Sequence, residues 1–225
     1  MTGVAPPGRL RFEHVAFDLD GTLVDTGDDI AASLNHVLRA LGRPALLLAQ
    51  VTGYVGEGAR RLVEQALGAG DAALVERGVA LFMTRYGEHL LDASGPYPGV
   101  VALLDGLATR GVACSVLTNK PEAMSRAILE GLGLAARFVG VVGGDSLPTR
   151  KPDPAGLHRL RALTSTPPER TLLVGDSAID VRTARAAGAA FCGVAWGFAP
   201  DGMRAAGPER VIDHPAELLA VVEGC

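Results

Sequence analysis

The sequence predicts an α/β protein: a Rossmann-like parallel sheet core with an inserted small α-helical cap subdomain. Short apolar runs alternate with longer segments of helical periodicity, which is typical of parallel strands joined by crossover helices. Within the apolar runs there is no polar alternation, as expected for strands buried on both faces. The first two predicted strands are separated by roughly 85 residues, far more than one crossover needs, so an additional unit is expected between them.

Five strands and a short sixth are predicted in this order: Val15–Leu19, Val112–Leu117, Phe138–Val142, Leu172–Val174, Phe191–Ala195 and Val211–Asp213. The connecting helices are expected to begin near Pro121, Pro154 and Ser177, residues that suit a first helical turn. Polar residues follow the first four strands. In open α/β sheets ligands bind outside the carboxyl ends of the strands, so these polar residues are expected to converge on one crevice.

The segment between the first two strands has helical spacing of Leu, Val and Ala over Asp29–Leu41, Gly58–Leu67 and Ala72–Leu91. We therefore predict a core domain of residues 9–27 and 94–225 and a helical cap domain of residues 28–93. The chain would cross twice between the two bodies, an arrangement suited to opening and closing. A fixed helical layer against a single domain is the alternative.

Composition excludes several functional classes. The chain has 225 residues, 25 acidic and 21 basic groups and a net charge of −4, which disfavours a nucleic-acid surface. No apolar stretch approaches the roughly 18 residues that a membrane helix needs, and the start of the chain lacks the apolar region of a secretory signal. Cys114, Cys192 and Cys225 form no metal-type pair and fit a reducing compartment. A cytoplasmic protein without membrane partners, either a monomer or a homodimer, is expected.

Two carboxylates follow the first predicted strand in the sequence FDLDGT. Asp18 and Asp20 are two positions apart, so in an extended chain they point to the same side. Such a pair is tolerated when a metal neutralises it, or when one member holds a proton while the other attacks. Turn and cap chemistry is the alternative, because Asp-Gly is common in turns.

A second acidic pair follows the fourth strand in VGDSAID. Asp176 and Asp180 are one helical turn apart and face the same side. Four acidic groups at one crevice favour a hard cation that prefers oxygen ligands, and Mg²⁺ is expected over zinc because no His or Cys cluster accompanies them. Asp180 also suits the first turn of a helix, where an acid complements the helix dipole.

Three further polar residues suit a phosphate group. Thr118 and Asn119 follow the second strand and offer a hydroxyl and an amide. Lys151, in RKPDP, is a positive charge that would balance carboxylates and phosphate oxygens. An isolated lysine is usually a solvated surface charge, so its assignment depends on the other clusters.

Taken together, the ordered set FDLDGTLVDT, LTNKP, RKPDP and VGDSAID resembles the haloacid-dehalogenase-type superfamily over nearly the whole chain, and within it the phosphoglycolate-phosphatase-like branch. The resemblance implies that Asp18 is the nucleophile, Asp20 the acid/base, and Thr118 and Lys151 further catalytic residues. It also implies that Mg²⁺ binds Asp18, the main-chain carbonyl of Asp20, and Asp176, with Asp180 in support. Dehalogenase activity is disfavoured, because dehalogenases lack a second acid at the position of Asp20.

The segment from Gly53 to Leu67 resembles the substrate loop of that branch, in which Gly56 and Gly58 let backbone amides approach an anionic substrate. Arg60 and Arg61 would attract a carboxylate, although surface exposure is the commoner fate of helix arginines. The expected activity is hydrolysis of a small phosphorylated metabolite, first 2-phosphoglycolate, through an aspartyl-phosphate. The alternatives are a sugar-phosphate mutase of the β-phosphoglucomutase type, a phospho-accepting signalling receiver, and an inactive scaffold.

Overall fold

A six-stranded parallel sheet forms the centre of the computed structural model, which describes residues 11–68 and 71–224. The strands, in chain order, are β1 (His14–Phe17), β2 (Val24–Asp25), β3 (Gly95–Pro96), β4 (Ala113–Leu117), β5 (Val141–Val142), β6 (Thr171–Gly175), β7 (Ala190–Val194) and β8 (Arg210–Ile212). The helices are α1 (Gly27–Ala40), α2 (Leu48–Thr52), α3 (Ala59–Leu67), α4 (Ala72–Glu88), α5 (Val100–Thr109), α6 (Glu122–Gly131), α7 (Ala155–Thr164), α8 (Ala178–Ala186), α9 (Pro200–Ala205) and α10 (Glu217–Glu223). Short 3₁₀ turns cover Ala135–Arg137 and Pro168–Arg170.

The sheet order is β5-β4-β1-β6-β7-β8, and every neighbouring pair is parallel. The predicted fold class is therefore confirmed, including the short sixth strand. Strand β1 lies between β4 and β6, with Phe17 opposite both Val116 and Val174. The carboxyl ends of these three strands consequently meet at one edge of the sheet.

Two apolar layers explain why the strand sequences are continuously apolar. Val15 and Phe17 pack into the cluster on one face of the sheet, whereas Ala16 belongs to the cluster on the other face. Leu173 of β6 shares the second face with Ala16. Successive side chains of a strand point to opposite faces, so a strand covered by helices on both sides needs an apolar residue at each position.

The helices α1 to α4 pack around their own apolar cluster, separate from the two layers of the sheet. Leu34, Val51, Val63 and Phe82 contribute one buried side chain from each of these helices. A two-stranded antiparallel ribbon of β2 and β3 joins the two places where the chain passes between this helical unit and the sheet. This ribbon was not predicted, because two-residue strands carry no periodic signal.

Some predicted bounds differ from the structure. The third strand was predicted over Phe138–Val142, but β5 contains Val141 and Val142 alone. Within residues 11–68 and 71–224, β5 is an edge strand paired with β4, and a 3₁₀ turn occupies Ala135–Arg137 just before it. The helices α2, α5, α9 and α10 were also not predicted.

The cysteines that the structure describes are buried free thiols. Burial raises the pKa of Cys114 and of Cys192 to about 12, so neither is a reactive thiolate at neutral pH. Cys225, the start of the chain and residues 9 and 10 of the predicted core domain lie outside the described residues. Among the helices of residues 11–68 and 71–224, none is long and apolar enough to cross a bilayer.

Candidate active site

The predicted site residues gather at the carboxyl edge of the parallel sheet. Asp18 follows β1, Thr118 follows β4 and Asp176 follows β6, and the three side chains are almost fully buried. The backbone N–H of Asp18 donates to the carbonyl of Val174, which fixes the end of β1 against β6. The sheet topology thus brings together residues that are up to 158 positions apart.

Three carboxylates form a cluster at this edge. Asp18, Asp176 and Asp180 each offer one oxygen atom, and these atoms lie within 4.8 Å of one another. Burial, reinforced by the neighbouring negative charges of Asp180 and Asp18, raises the pKa of Asp176 to about 8. Burial likewise raises the pKa of Asp18 to about 6, although Lys151 opposes the shift. Crowded, buried carboxylates of this kind suit a hard divalent cation, and the donor set therefore fits the expected metal.

Lys151 supplies one positive charge to this acidic cluster. Its ammonium lies 3.0 Å from a carboxylate oxygen of Asp18 and 2.7 Å from one of Asp180. Burial opposes the charge on the lysine, but these two ion pairs outweigh burial and raise its pKa above the ordinary value. Lys151 is therefore a permanent cation beside the nucleophile candidate, not a solvated surface residue.

Asp180 and Asp176 are held by hydrogen bonds from different segments. Asp180 accepts from the backbone N–H and the hydroxyl of Ser177, at 3.2 and 2.6 Å, which forms a capping box at the start of α8. Asp176 accepts from the backbone N–H groups of Phe198 and Ala199, at 2.6 and 3.3 Å. The segment after Gly197 carried no functional signal in the sequence, yet it fixes the orientation of Asp176.

Gly21 is required by the close packing around Asp176. Its φ is +75°, a conformation that side chains rarely adopt, and a Cβ atom there would lie 2.4 Å from a carboxylate oxygen of Asp176. The glycine of FDLDGT thus has two independent reasons to be present: the backbone conformation and the approach of the second acidic segment.

Asp20 lies outside the three-carboxylate cluster and has its own partners. Its carboxylate accepts a 2.7 Å hydrogen bond from the hydroxyl of Thr26 and pairs with the ammonium of Lys120 at 2.5 Å. Lys120 also donates to the hydroxyl of Tyr86, at 2.7 Å. Sequence reasoning did not single out Lys120 or Tyr86. The position of Lys120 beside Asn119 in the LTNKP segment could have identified it as a site residue, whereas no sequence feature pointed to Tyr86.

Thr118 and Asn119 differ in how they use their polar groups. The hydroxyl of Thr118 accepts from the backbone N–H of Lys120 at 3.2 Å and lines the cavity that Asp18 and Asp20 also line. The side-chain amide of Asn119 donates to the carbonyls of Gly56 and Lys151, at 2.9 and 3.1 Å. That amide therefore joins the helical insert to the core, and the substrate-binding role of Asn119 stays a prediction.

Gly56 and Gly58 line the same cavity from the side of the helical insert. Both have left-handed backbone conformations, with φ of +122° and +91°. A Cβ atom on Gly58 would lie 3.3 Å from the backbone carbonyl of Asn119, so the loop approaches the core closely. Arg60 and Arg61, in contrast, have side chains about half exposed and pair with Glu64 and, for Arg60, Glu76.

The parallel sheet, with clustered carboxylates and a lysine at its carboxyl edge opposite a helical insert, is the Rossmann-like core of a hydrolase. The family model described as haloacid dehalogenase-like hydrolase matches residues 15–194. The chain belongs to the haloacid dehalogenase-like hydrolase family.

Curated relatives support this assignment over most of the chain. The chain is 41% identical to a phosphoglycolate phosphatase of Pseudomonas putida, with 97% of this chain and 81% of the relative covered. It is also 41% identical to a phosphoglycolate phosphatase of Rhodospirillum rubrum, with coverages of 91% and 88%. Among solved structures, a predicted phosphoglycolate phosphatase from Haemophilus somnus superimposes with a TM-score of 0.88, at 31% identity, over 94% of this chain and 98% of that chain.

Proposed function

We propose that the chain is a Mg²⁺-dependent phosphatase that hydrolyses 2-phosphoglycolate through an aspartyl-phosphate on Asp18. Its membership of the phosphoric monoester hydrolases rests on the family and on relatives that are named phosphoglycolate phosphatase. The single observation that carries the mechanism is the convergence of Asp18, Asp176, Asp180 and Lys151 at one edge of the sheet. Any one of these residues alone would have a structural explanation.

In the first half of the proposed reaction, a carboxylate oxygen of Asp18 attacks phosphorus. A bond forms between that oxygen and phosphorus while the bond from phosphorus to the glycolate oxygen breaks. Asp20 gives its proton to the departing alkoxide, which leaves as the glycolate hydroxyl. Lys151, in contact with Asp18, offsets the negative charge on the transferring phosphoryl group.

In the second half, a water molecule attacks the phosphorus of the aspartyl-phosphate. Asp20 accepts a proton from that water, and inorganic phosphate leaves as the carboxylate of Asp18 is restored. Thr118 is proposed to bind a phosphoryl oxygen through its hydroxyl. When bound, Mg²⁺ would neutralise charge on the phosphoryl oxygens, and Asp18, the carbonyl of Asp20, Asp176 and Asp180 are the groups proposed to hold it directly or to support it.

The helical insert, residues 28–93, is proposed to act as the cap domain over this reaction. Gly56 and Gly58 lie on the cavity wall, where the loop that contains them faces Asp18 and Thr118. A cap that closes on the substrate would exclude bulk water from the aspartyl-phosphate and would select the leaving group. The proposed working form is a protein free in the cytoplasm, monomeric or homodimeric, acting on a small metabolite.

The test is a steady-state screen of phosphate release from a panel of esters with and without Mg²⁺. The panel contains 2-phosphoglycolate, hexose phosphates and an aryl phosphate. The expected result is a kcat/KM for 2-phosphoglycolate at least about tenfold above that of the aryl phosphate, with release abolished by a chelator. Equal catalytic efficiency for the two esters would refute the proposed substrate, and isomerisation of a hexose phosphate without release of phosphate would indicate the mutase alternative.

A further inference from the structure

We propose that Lys120, assisted by the hydroxyl of Tyr86, is the subsite that binds the anionic end of the leaving group. For the substrate proposed above, that end is the carboxylate of glycolate. This inference rests on the proposed function and adds the residue that determines specificity. The positive charge that selects an acidic ester over a neutral one would then come from the core, and not from the arginines of the helical insert.

The cavity beside Asp18 is largely apolar on the side of the helical insert. Apolar side chains from that insert form much of its wall: Ile30, Val55, Leu62, Phe82 and Met83. Among the described residues that line this cavity, Lys120 has the only cationic side chain. Lys151 lines a different cleft, where it pairs with Asp18 and Asp180. A leaving group with a negative charge would therefore meet one positive charge in this space, the ammonium of Lys120.

The ammonium of Lys120 has hydrogen-bonding capacity left for a ligand. A lysine ammonium has three N–H donors, and the observed contacts are with Asp20 at 2.5 Å and with the hydroxyl of Tyr86 at 2.7 Å. One donor thus remains. The Tyr86 hydroxyl accepts from Lys120, so its own hydrogen is a second donor to a carboxylate. Lys120 is 7% exposed and Tyr86 2%, and a charge-assisted hydrogen bond is stronger in such a buried place.

The arrangement also places this subsite next to the reacting atoms. Lys120 contacts Asp20, the residue proposed to protonate the alkoxide, and glycolate separates its carboxylate from that oxygen by a single methylene group. In a leaving group as short as glycolate, the alkoxide oxygen would thus contact Asp20 while the carboxylate contacts the neighbouring Lys120. Tyr86 belongs to α4 and Lys120 to the core, so the subsite is complete only when the helical insert lies against the core.

The arginines near the cavity are placed less favourably. Arg60 and Arg61 point to solvent and pair with glutamates of the helical insert. Arg150 lines a different cleft, together with Arg182 and Lys151, although its guanidinium would lie 3.4 Å from a Cβ atom on Gly58. Arg150 is therefore the rival source of the same charge, and the test includes it.

The first measurement is the ratio of kcat/KM for 2-phosphoglycolate to kcat/KM for ethyl phosphate, which has a methyl group in place of the carboxylate. Lys120→Met is expected to lower this ratio at least tenfold, because it removes the ammonium that would bind the carboxylate of 2-phosphoglycolate. Any loss of activity that acts through Asp20 affects both esters and therefore cancels in the ratio. Tyr86→Phe is expected to lower it about threefold, and Arg61→Met is the control that leaves it unchanged. An unchanged ratio in Lys120→Met, or a tenfold fall in Arg150→Met alone, would overturn the proposal.

The second measurement is binding without turnover, in a protein with Asp18→Asn. Calorimetry with Mg²⁺ compares this protein with the double variant that also contains Lys120→Met. The expected result is at least tenfold weaker binding of 2-phosphoglycolate and less than threefold weaker binding of ethyl phosphate. Equal weakening of both ligands would overturn the subsite.

Failure of the proposed function is a different result, in which the unmodified enzyme has no preference for 2-phosphoglycolate. If circular dichroism shows that Lys120→Met does not fold, both measurements are made on Tyr86→Phe instead.

Discussion

Asp18 is surrounded by groups that restrict it to one orientation. Its Oδ1 accepts a hydrogen bond from the backbone N–H of Leu19 at 2.7 Å and lies 3.0 Å from the ammonium of Lys151. Because the side chain is 6% exposed, bulk water does not compete for it. A carboxylate that is fixed and partly stripped of water is suited to attack on phosphorus.

Replacement of Asp18 by Asn is expected to abolish turnover. The amide cannot form the aspartyl-phosphate, so steady-state phosphate release should fall by at least about 10³-fold. Loss of one negative charge from a crowded acidic cluster should leave the fold intact, which thermal denaturation followed by circular dichroism would check. Activity comparable to that of the unmodified enzyme would show that Asp18 is not the nucleophile.

His14 is a buried base whose contribution to stability depends on pH. Its Nε2 lies 2.8 Å from the hydroxyl of Ser115, its Nδ1 is buried with no hydrogen-bond partner among the described residues, and the residue is 0% exposed. Burial, with a smaller contribution from the charge of Arg161, lowers its pKa to about 4. The folded state therefore resists protonation, whereas the unfolded chain binds a proton near pH 6.5.

The direction in which stability changes with pH follows from these two pKa values. Between about pH 6.5 and pH 4 the unfolded state holds more protons, so stability falls as the pH is lowered through this window, by up to about 3 kcal/mol from this residue. In His14→Gln that contribution should disappear. Urea denaturation at several pH values measures the difference in slope between the two proteins. Parallel slopes would mean that His14 is not the responsible group.

At the scale of single elements, α1 is tied to the segment by which the chain returns to the sheet. Asp29, in the first turn of α1, accepts hydrogen bonds from the backbone N–H groups of Ala93 and Ser94 and from the hydroxyl of Ser94. The carboxylate is 3% exposed. One side chain thus joins the two crossings between the helical insert and the sheet.

Asp29→Ala is expected to lower the free energy of unfolding by about 2 kcal/mol, because it removes three hydrogen bonds to a carboxylate. Asp28→Ala is the matched control: Asp28 lies beside Asp29 in the same helical turn but is exposed. Urea denaturation of both variants gives the comparison. Equal losses would attribute the effect to the helix dipole and not to the connection with Ala93 and Ser94.

The short elements were the hardest to predict. Strand β1 and helix α1 were found because each has a continuous or periodic apolar pattern, whereas the ribbon of β2 and β3 has two residues per strand. Its position depends on where α4 returns the chain, which is a property of packing. The end of β6 was predictable, since VGDS combines an apolar run with an abrupt change to polar residues.

At the scale of the whole molecule, the acidic cluster is a source of instability that a bound cation would relieve. Burial raises the pKa of Asp176 to about 8, so its ionised form is disfavoured in the folded protein. A divalent cation that binds only the folded state adds stability by mass action. The metal should thus be detectable through the fold as well as through activity.

We expect Mg²⁺ at about 100 times its Kd to stabilise the protein by about 2.7 kcal/mol, or about 5–10 °C in Tm, with reversal by a chelator. Asp176→Asn should greatly reduce this rise, whereas Asp201→Asn, at an exposed position of α9, should retain it. Scanning calorimetry with and without Mg²⁺ checks both. A rise of the same size in Asp176→Asn would place the cation elsewhere.

The sequence by itself determined the fold class and the chemical character of the edge of the sheet. Continuous apolar strands require helices on both faces, and the polar residues that end β1, β4 and β6 were expected to share one edge because parallel strands present their carboxyl ends together. The order β4-β1-β6, which makes Asp18, Thr118 and Asp176 neighbours along that edge, came from the tertiary structure.

Only the tertiary structure decided which polar groups touch. It paired Lys120 with Asp20 and Tyr86, committed the amide of Asn119 to two carbonyls, and brought the backbone of Phe198 to Asp176. The physical reason is that these contacts depend on the distance and angle between elements far apart in the chain. Periodicity and spacing specify which face of an element is buried, but not which side chain of a distant element will meet it.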